Sequence, residues 1–163
     1  MSRTRIKTLL ESGQVGSEVV VKGWVKAFRN NQFIQINDGS TIHNIQAVIE
    51  LNQFEEELIK RVTTASAISV TGTLAKSQGQ GQSLEIQATG IEILGDANPE
   101  DVKKTILSPK RHKLDKLREE AHLRFRTNTF GAVFRIRHAV SFAIHQYFND
   151  RGFYHMATPI ITG

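Results

Sequence analysis

Three strand-like stretches, one amphipathic helix and two more strand-like stretches, in that order, predict a mainly β domain: a five-stranded OB barrel with a short helix ahead of it. The first stretch is long for a strand and carries Gly23 within it, as a strand does when it bends around a barrel. Charge marks where this domain ends. Residues 1–95 hold nine basic and nine acidic residues, whereas residues 96–163 hold twelve and seven, so the whole formal charge of +5 lies in the second part. The change falls at Gly95-Asp96-Ala97-Asn98-Pro99-Glu100, a loop-forming cluster. The chain accordingly divides into a barrel domain at 1–95, a linker at 96–126 and the start of a second unit at 127–163.

Each element has its own signal. Arg3 to Ser12 reads as an amphipathic helix with Ile6, Leu9 and Leu10 on one face and Gly13 as its stop. Glu18 to Arg29, β-branched and aromatic, is the first strand, with a bulge or bend expected at Gly23. Asn30-Asn31-Gln32 makes a turn, Phe33 to Asn37 alternates with period two, Asp38-Gly39 turns again, and Ile45 to Leu51 returns as the third strand of a meander. Asn52 to Val62 sets Phe54, Leu58, Ile59 and Val62 on one helical face. Ala67 to Ala75 and Leu84 to Leu94 complete the barrel, joined by the low-complexity loop Ser77 to Ser83. That loop contains Gly79-Gln80-Gly81 but lacks the strand-to-helix context, the third glycine and the Lys-Ser/Thr of a phosphate loop, so it reads as a flexible hairpin tip.

The second part opens with a cation-dense connector, Ser108 to Arg118. Thr127-Asn128-Thr129 then supplies capping residues for a helix from Phe130 to Asn149. Val133, Ile136 and Val140 form an apolar ridge on that helix, continued by Ala143, Ile144, Tyr147 and Phe148. Phe153 to Thr162 reads as an extended strand, with Pro159 marking an edge or a strand end. A helix and one strand have no sheet or bundle of their own to pack against, so this unit reads as incomplete.

Composition excludes several classes. The chain has 163 residues and no cysteine, which removes disulfide frameworks, thiolate zinc sites and thiol nucleophiles. No apolar run approaches the roughly 20 residues of a spanning helix. Arg3, Arg5 and Lys7 near the start are followed by no apolar core, so no secretory signal is expected and a soluble cytoplasmic protein without a membrane partner is the default. The pI near 9.7 points toward a polyanionic partner. His138 and His145 share a helix face but no carboxylate joins them at ligand spacing, and no metal site is expected.

The open face of strands two and three is the usual nucleic-acid platform of an OB barrel. Alternation puts Phe33 and Gln35 on one face and Ile34 and Ile36 in the barrel interior. An aromatic on that face can stack on an unpaired base, and Gln46 and Arg29 lie where they can hydrogen-bond base edges or phosphates. The structural alternative is that Phe33 closes the end of the barrel while Gln46 and Arg29 are solvated. Lys110, Arg111 and Lys113 of the connector can touch a phosphate backbone, or can form an ordinary solvated face.

Two stretches carry a family likeness. Ala121 to Ala139, containing Arg126-Thr127-Asn128-Thr129-Phe130-Gly131-Ala132, and the later Arg151-Gly-Phe-Tyr-His-Met-Ala-Thr-Pro159 resemble the lead-in and motif 1 of class II aminoacyl-tRNA synthetases, and most of all the bacterial-type asparaginyl-tRNA synthetases. Gly23-Trp24-Val25 and Asp38-Gly39-Ser40 agree with that family, so the resemblance spans essentially the whole chain.

The resemblance implies an N-terminal OB barrel that binds the tRNA anticodon, followed by the start of an incomplete α+β class II catalytic domain. It assigns Phe33 to stacking on the central anticodon base, Gln46 and Arg29 to contacts around that base, and Glu85 to the first anticodon base. It makes the motif 1 helix and strand, ending at Pro159, a homodimer interface that would include Val133, Ile136, Val140 and Ile144. It also implies a full-length asparagine–tRNA ligase that uses ATP and Mg2+. Motifs 2 and 3, which grip ATP and the amino acid, have no counterpart in these residues, so the 163 residues alone are expected to bind no cofactor and to be inactive. The alternative of another class is a stand-alone OB module for nucleic-acid binding or dimerisation, derived from such an enzyme.

Overall fold

A computed structural model describes residues 2–79 and 81–160. The chain forms a closed barrel of five strands in the order β1-β2-β3-β5-β4, comprising β1 (Glu18–Arg29), β2 (Phe33–Asn37), β3 (Ile45–Val48), β4 (Ala67–Lys76) and β5 (Leu84–Gly95). β1 is long because it serves two neighbours. Glu18 to Trp24 pair with β4, and Trp24 to Arg29 pair with β2. The barrel closes through β3 and β5, which run parallel, while the other pairings are antiparallel. Asn30 and Asn31 both adopt left-handed backbone, with φ of 52° and 51°, a conformation asparagine tolerates better than most residues.

Period-two alternation in β2 and β3 sends Ile34, Ile36, Ile45 and Ala47 inward, where they are essentially solvent-free beside Val21, Val25, Ile68, Val70, Leu74 and Ile86. Each of these isoleucine, leucine and valine side chains stabilises the fold by about 1.5–3 kcal/mol relative to leaving it exposed. The expected bulge at Gly23 is displaced. The register slips between Val25 and Ala27, so Lys26 is the extra residue. Gly23 serves close approach instead, because a Cβ there would lie 2.7 Å from the Asn37 carbonyl oxygen and 2.8 Å from Ile36 Cγ2.

The helices around the barrel are shorter than their sequence patterns. α1 (Ile6–Ser12) buries Ile6 and Leu9 against the core. The Asp38 carboxylate holds its start, accepting hydrogen bonds from the Ile6 amide at 3.0 Å, the Ser40 amide at 2.9 Å and the Ser40 hydroxyl at 2.6 Å. The third strand ends at Val48 and not at Leu51, since its pairing on both sides stops there and Leu51 opens a 3-10 turn. α2 (Glu56–Arg61) lies between β3 and β4 as expected, and its Arg61 makes a bidentate ion pair with Asp96 at 2.8 and 2.7 Å.

Residues 96–126 are folded and are more than a linker. They contain α3 (Pro99–Lys104) and α4 (Leu114–Glu119), with Ile106 and Leu117 buried. Glu120 ties the segment together by accepting from the Ile106 amide at 3.0 Å and from Lys116 at 2.7 Å. α5 (Asn128–Asn149) follows, capped by the Thr127 side chain, and none of its 22 residues is buried. The strand expected from Phe153 is not formed over residues 153–160, where no neighbouring strand offers pairing partners; Ile161 and Thr162 lie outside the described residues.

Candidate nucleic-acid interface

Two cross-strand rows build the outer face of the barrel. In one, Arg29 pairs with Phe33, Phe33 with Val48, and Val48 with Gln87. In the next, Ala27 pairs with Gln35, Gln35 with Gln46, and Gln46 with Glu85. Adjacent rows on one face are two residues apart along each strand, and diagonal neighbours remain within reach of aromatic and long side chains. Phe33 is therefore beside Gln46 on the diagonal. All four barrel residues selected from the sequence, Arg29, Phe33, Gln46 and Glu85, fall on this one surface.

Their environments differ. Arg29 is exposed, Phe33, Gln35 and Gln46 are half-buried, and Glu85 is buried at 7% exposure. The half-buried state of Phe33 leaves part of an aromatic surface open for stacking while its remainder rests on the barrel. The Glu85 carboxylate is oriented by two donors, the Ser77 hydroxyl at 2.8 Å and the Gln87 amide nitrogen at 3.0 Å. Gln82 also donates to the Ser77 oxygen, at 3.0 Å, so the β4–β5 loop is folded over this carboxylate. A carboxylate on a face suited to a polyanion repels phosphate, and its natural partners are N–H donors on a base edge.

The connector supplies the opposite wall. A groove of about 1100 Å3 runs between them, with Arg29 and Gln35 on the barrel side and Lys110, Arg111 and Lys113 on the connector side. The cations selected from the linker are thus placed across a groove from Arg29 and Gln35 of the barrel. Phosphate contacts from such cations add salt-dependent affinity with no reading of sequence, whereas the barrel face supplies the groups that can discriminate bases.

Three contributors escaped sequence reasoning. Ser77 and Gln87 orient Glu85, the first from across the β4–β5 loop and the second from two residues along the same strand. Lys26 is the bulged residue of β1, and its ammonium donates to the Arg126 carbonyl at 2.7 Å. Burial, followed by the nearby Arg126 charge, lowers its pKa from the ordinary lysine value. The remaining selected residues form a separate surface. Val133, Ile136, Val140 and Ile144 lie exposed along α5, far from burial at 47–64% exposure, and Pro159 is exposed in the segment that follows.

Comparison with known proteins gives a consistent picture. Residues 19–94 match the tRNA anticodon family described as an OB-fold nucleic acid binding domain. The chain is 52% identical to an asparagine–tRNA ligase of Parabacteroides distasonis over 99% of its own length and 35% of that relative's. It is 49% identical to the asparagine–tRNA ligase of Cytophaga hutchinsonii over 100% of this chain and 36% of that one. The chain therefore spans only about a third of the length of these curated relatives. Among solved structures, the asparaginyl-tRNA synthetase of Pyrococcus horikoshii shares the fold with a TM-score of 0.80 at 18% identity, over 99% of this chain and 38% of that one. The Entamoeba histolytica enzyme with asparaginyl-adenylate gives 0.78 at 24% identity, over 94% of this chain and 37% of that one.

Proposed function

We propose, from the match of residues 19–94 to the OB-fold nucleic acid binding family of tRNA anticodon domains, that this chain is the anticodon-binding part of an asparagine–tRNA ligase. The observation that carries the reading is the register that places Arg29, Phe33, Gln46 and Glu85 on one outer face of the barrel. On that face Phe33 stacks on the central anticodon base and Gln46 hydrogen-bonds its edge. Arg29 flanks the same base. Glu85, held by Ser77 and Gln87, accepts hydrogen bonds from the first anticodon base. Lys110, Arg111 and Lys113 neutralise phosphates across the groove.

The parent activity is ATP-dependent activation of asparagine and its attachment to tRNA, supported by about half identity to asparagine–tRNA ligases along the chain. Motifs 2 and 3, the segments that grip ATP and the amino acid in the class II enzymes, have no counterpart among these 163 residues. The part played by this chain is recognition of RNA. α5 is the homodimer surface, for which its apolar and wholly unburied length provides the support. A tRNA partner supports action in the cytoplasm. Separately, no helix among the described residues is long and apolar enough to cross a membrane.

Nuclease footprinting of tRNA with this chain tests the reading. Protection confined to the anticodon loop and its stem is expected. Protection elsewhere with an open anticodon loop would refute it.

A further inference from the structure

We infer that Lys26 is a positioning residue that latches the connector to the barrel and so sets the groove in which the anticodon arm is held; the inference rests on the function proposed above. Lys26 is the single extra residue at the register slip in β1, two residues from Trp24 and three from Arg29. Bulges re-aim side chains, and this one turns an ammonium away from the strand ladder toward the chain entering α5. There it donates to the Arg126 carbonyl at 2.7 Å. The Arg126 guanidinium in turn stacks over the Trp24 ring, 4.8 Å from its centroid. Strand β1 thus grips one connector residue twice, by its backbone through Lys26 and by its side chain through Trp24. On the far side of α5's first turns, Arg135 donates to the carbonyls of Gly39 and Ser40 in the β2–β3 turn.

The position of this latch gives it a function. Lys26 lines the basic groove with Arg29, Gln35 and the connector cations, and it also lines a second cavity of about 790 Å3 with Trp24, Phe125 and Phe134. The Lys26–Arg126 contact is the partition between the two. Loss of the ammonium leaves the Arg126 carbonyl without its barrel donor and frees the connector wall to move from the face that carries Phe33 and Gln46. Lys26 already spends its charge on a carbonyl, so its contribution to RNA binding runs through Lys110, Arg111 and Lys113.

The absence of cysteine makes the test clean. Nitroxides attached through Glu92→Cys on β5 and Glu119→Cys on α4 report the distance from barrel to connector, and a fluorescent anticodon stem-loop reports binding. Lys26→Met should broaden or shift the distance distribution. It should also weaken stem-loop binding by the same factor, within about twofold, as replacing Lys110, Arg111 and Lys113 together with alanine. Lys26→Arg, which retains a donor, should restore both. In the background lacking the three connector cations, Lys26→Met should cause no further loss, whereas in Phe33→Ala its full loss should persist. An unchanged distance distribution, or an additive loss in the cation-free background, overturns the latch. Should Lys26→Met fail to fold, Trp24→Leu removes the other half of the grip and is held to the same outcomes. If the unmodified chain does not bind the stem-loop, the anticodon reading itself fails, a result separate from RNA that is bound without regard to Lys26.

Discussion

Gln46 stands directly opposite Glu85 in the parallel pairing of β3 with β5. Closing the barrel therefore places a side-chain amide beside a carboxylate, although the two residues belong to strands separated by α2 and β4. Gln46 is half-buried, and Glu85 is buried and held by Ser77 and Gln87 before any ligand arrives. Preorganised polar groups lose less entropy on binding, which favours discrimination between bases.

Stacking on Phe33 should dominate the affinity of the barrel face. Phe33→Ala is expected to weaken binding of an anticodon stem-loop by about 1–3 kcal/mol while leaving the melting temperature little changed, because the barrel interior is filled by Ile34 and Ile36. Fluorescence anisotropy titration together with a thermal melt checks both halves. Equal binding of variant and parent would remove the stacking role.

Glu85 should act on selectivity. Glu85→Gln keeps the size but removes the charge that Ser77 and Gln87 orient. A hydrogen bond to a charged group contributes about 1.5–3 kcal/mol, so preference for the correct first anticodon base should fall by roughly tenfold or more. Titrations with stem-loops changed only at that base measure the ratio. A ratio as large in the variant as in the parent would assign the discrimination elsewhere.

The connector cations should reveal themselves through salt. Replacing Lys110, Arg111 and Lys113 with alanine should lower the slope of log K against log salt by about 0.7 for each phosphate of single-stranded RNA that is no longer neutralised. Affinities measured from low to physiological salt give the slope. The relative preference among anticodons should be unaltered, since phosphate contacts carry no base information.

The sequence shows much of this architecture and little of its closure. The limits of β1 and β2 are legible because β-branched runs end at Asn and Asp turns, and the inward isoleucines follow from alternation. Arg29, Phe33 and Gln46 are legible as face residues for the same reason. Glu85 becomes part of that face through the parallel β3–β5 pairing, a long-range contact with no local signature. The fold of residues 96–126 is hidden by its cations. Leu117 and Ile106 are buried, yet no apolar periodicity announces short helices of this kind. Lys26 is invisible for another reason: a bulge moves with register, and Gly23 draws attention three residues too early.

Acid should loosen the N-terminal helix. Burial tends to raise the Asp38 pKa, but hydrogen bonds from the Ser40 hydroxyl, the amides of Ile6 and Ser40, and Arg3 outweigh it and hold the carboxyl below its ordinary value. A depressed folded pKa means the stabilisation is full above the unfolded value, near about 4, and is lost as pH falls through the folded one. Asp38→Asn should therefore lower stability at neutral pH by about 1–3 kcal/mol and flatten the decline in acid. Urea unfolding at a series of pH values from neutral to strongly acidic reads both effects, and parallel curves for the two proteins would contradict the assignment.

The apolar surface of α5 should drive self-association. Val140→Glu with Ile144→Glu, at positions 52% and 53% exposed, should convert an associating chain into a monomer in sedimentation without unfolding the barrel. A parent chain that sediments as a monomer at high concentration would exclude α5 as the homodimer surface.

The most direct measurement compares the affinity of the chain for tRNAs identical except in the anticodon. Strongest binding to the asparagine anticodon, with a loss of about 1–3 kcal/mol when the central base is changed in the parent chain and little further loss for that change in Phe33→Ala with Gln46→Ala, is the predicted result. Equal affinity for every anticodon would contradict anticodon recognition by the barrel face.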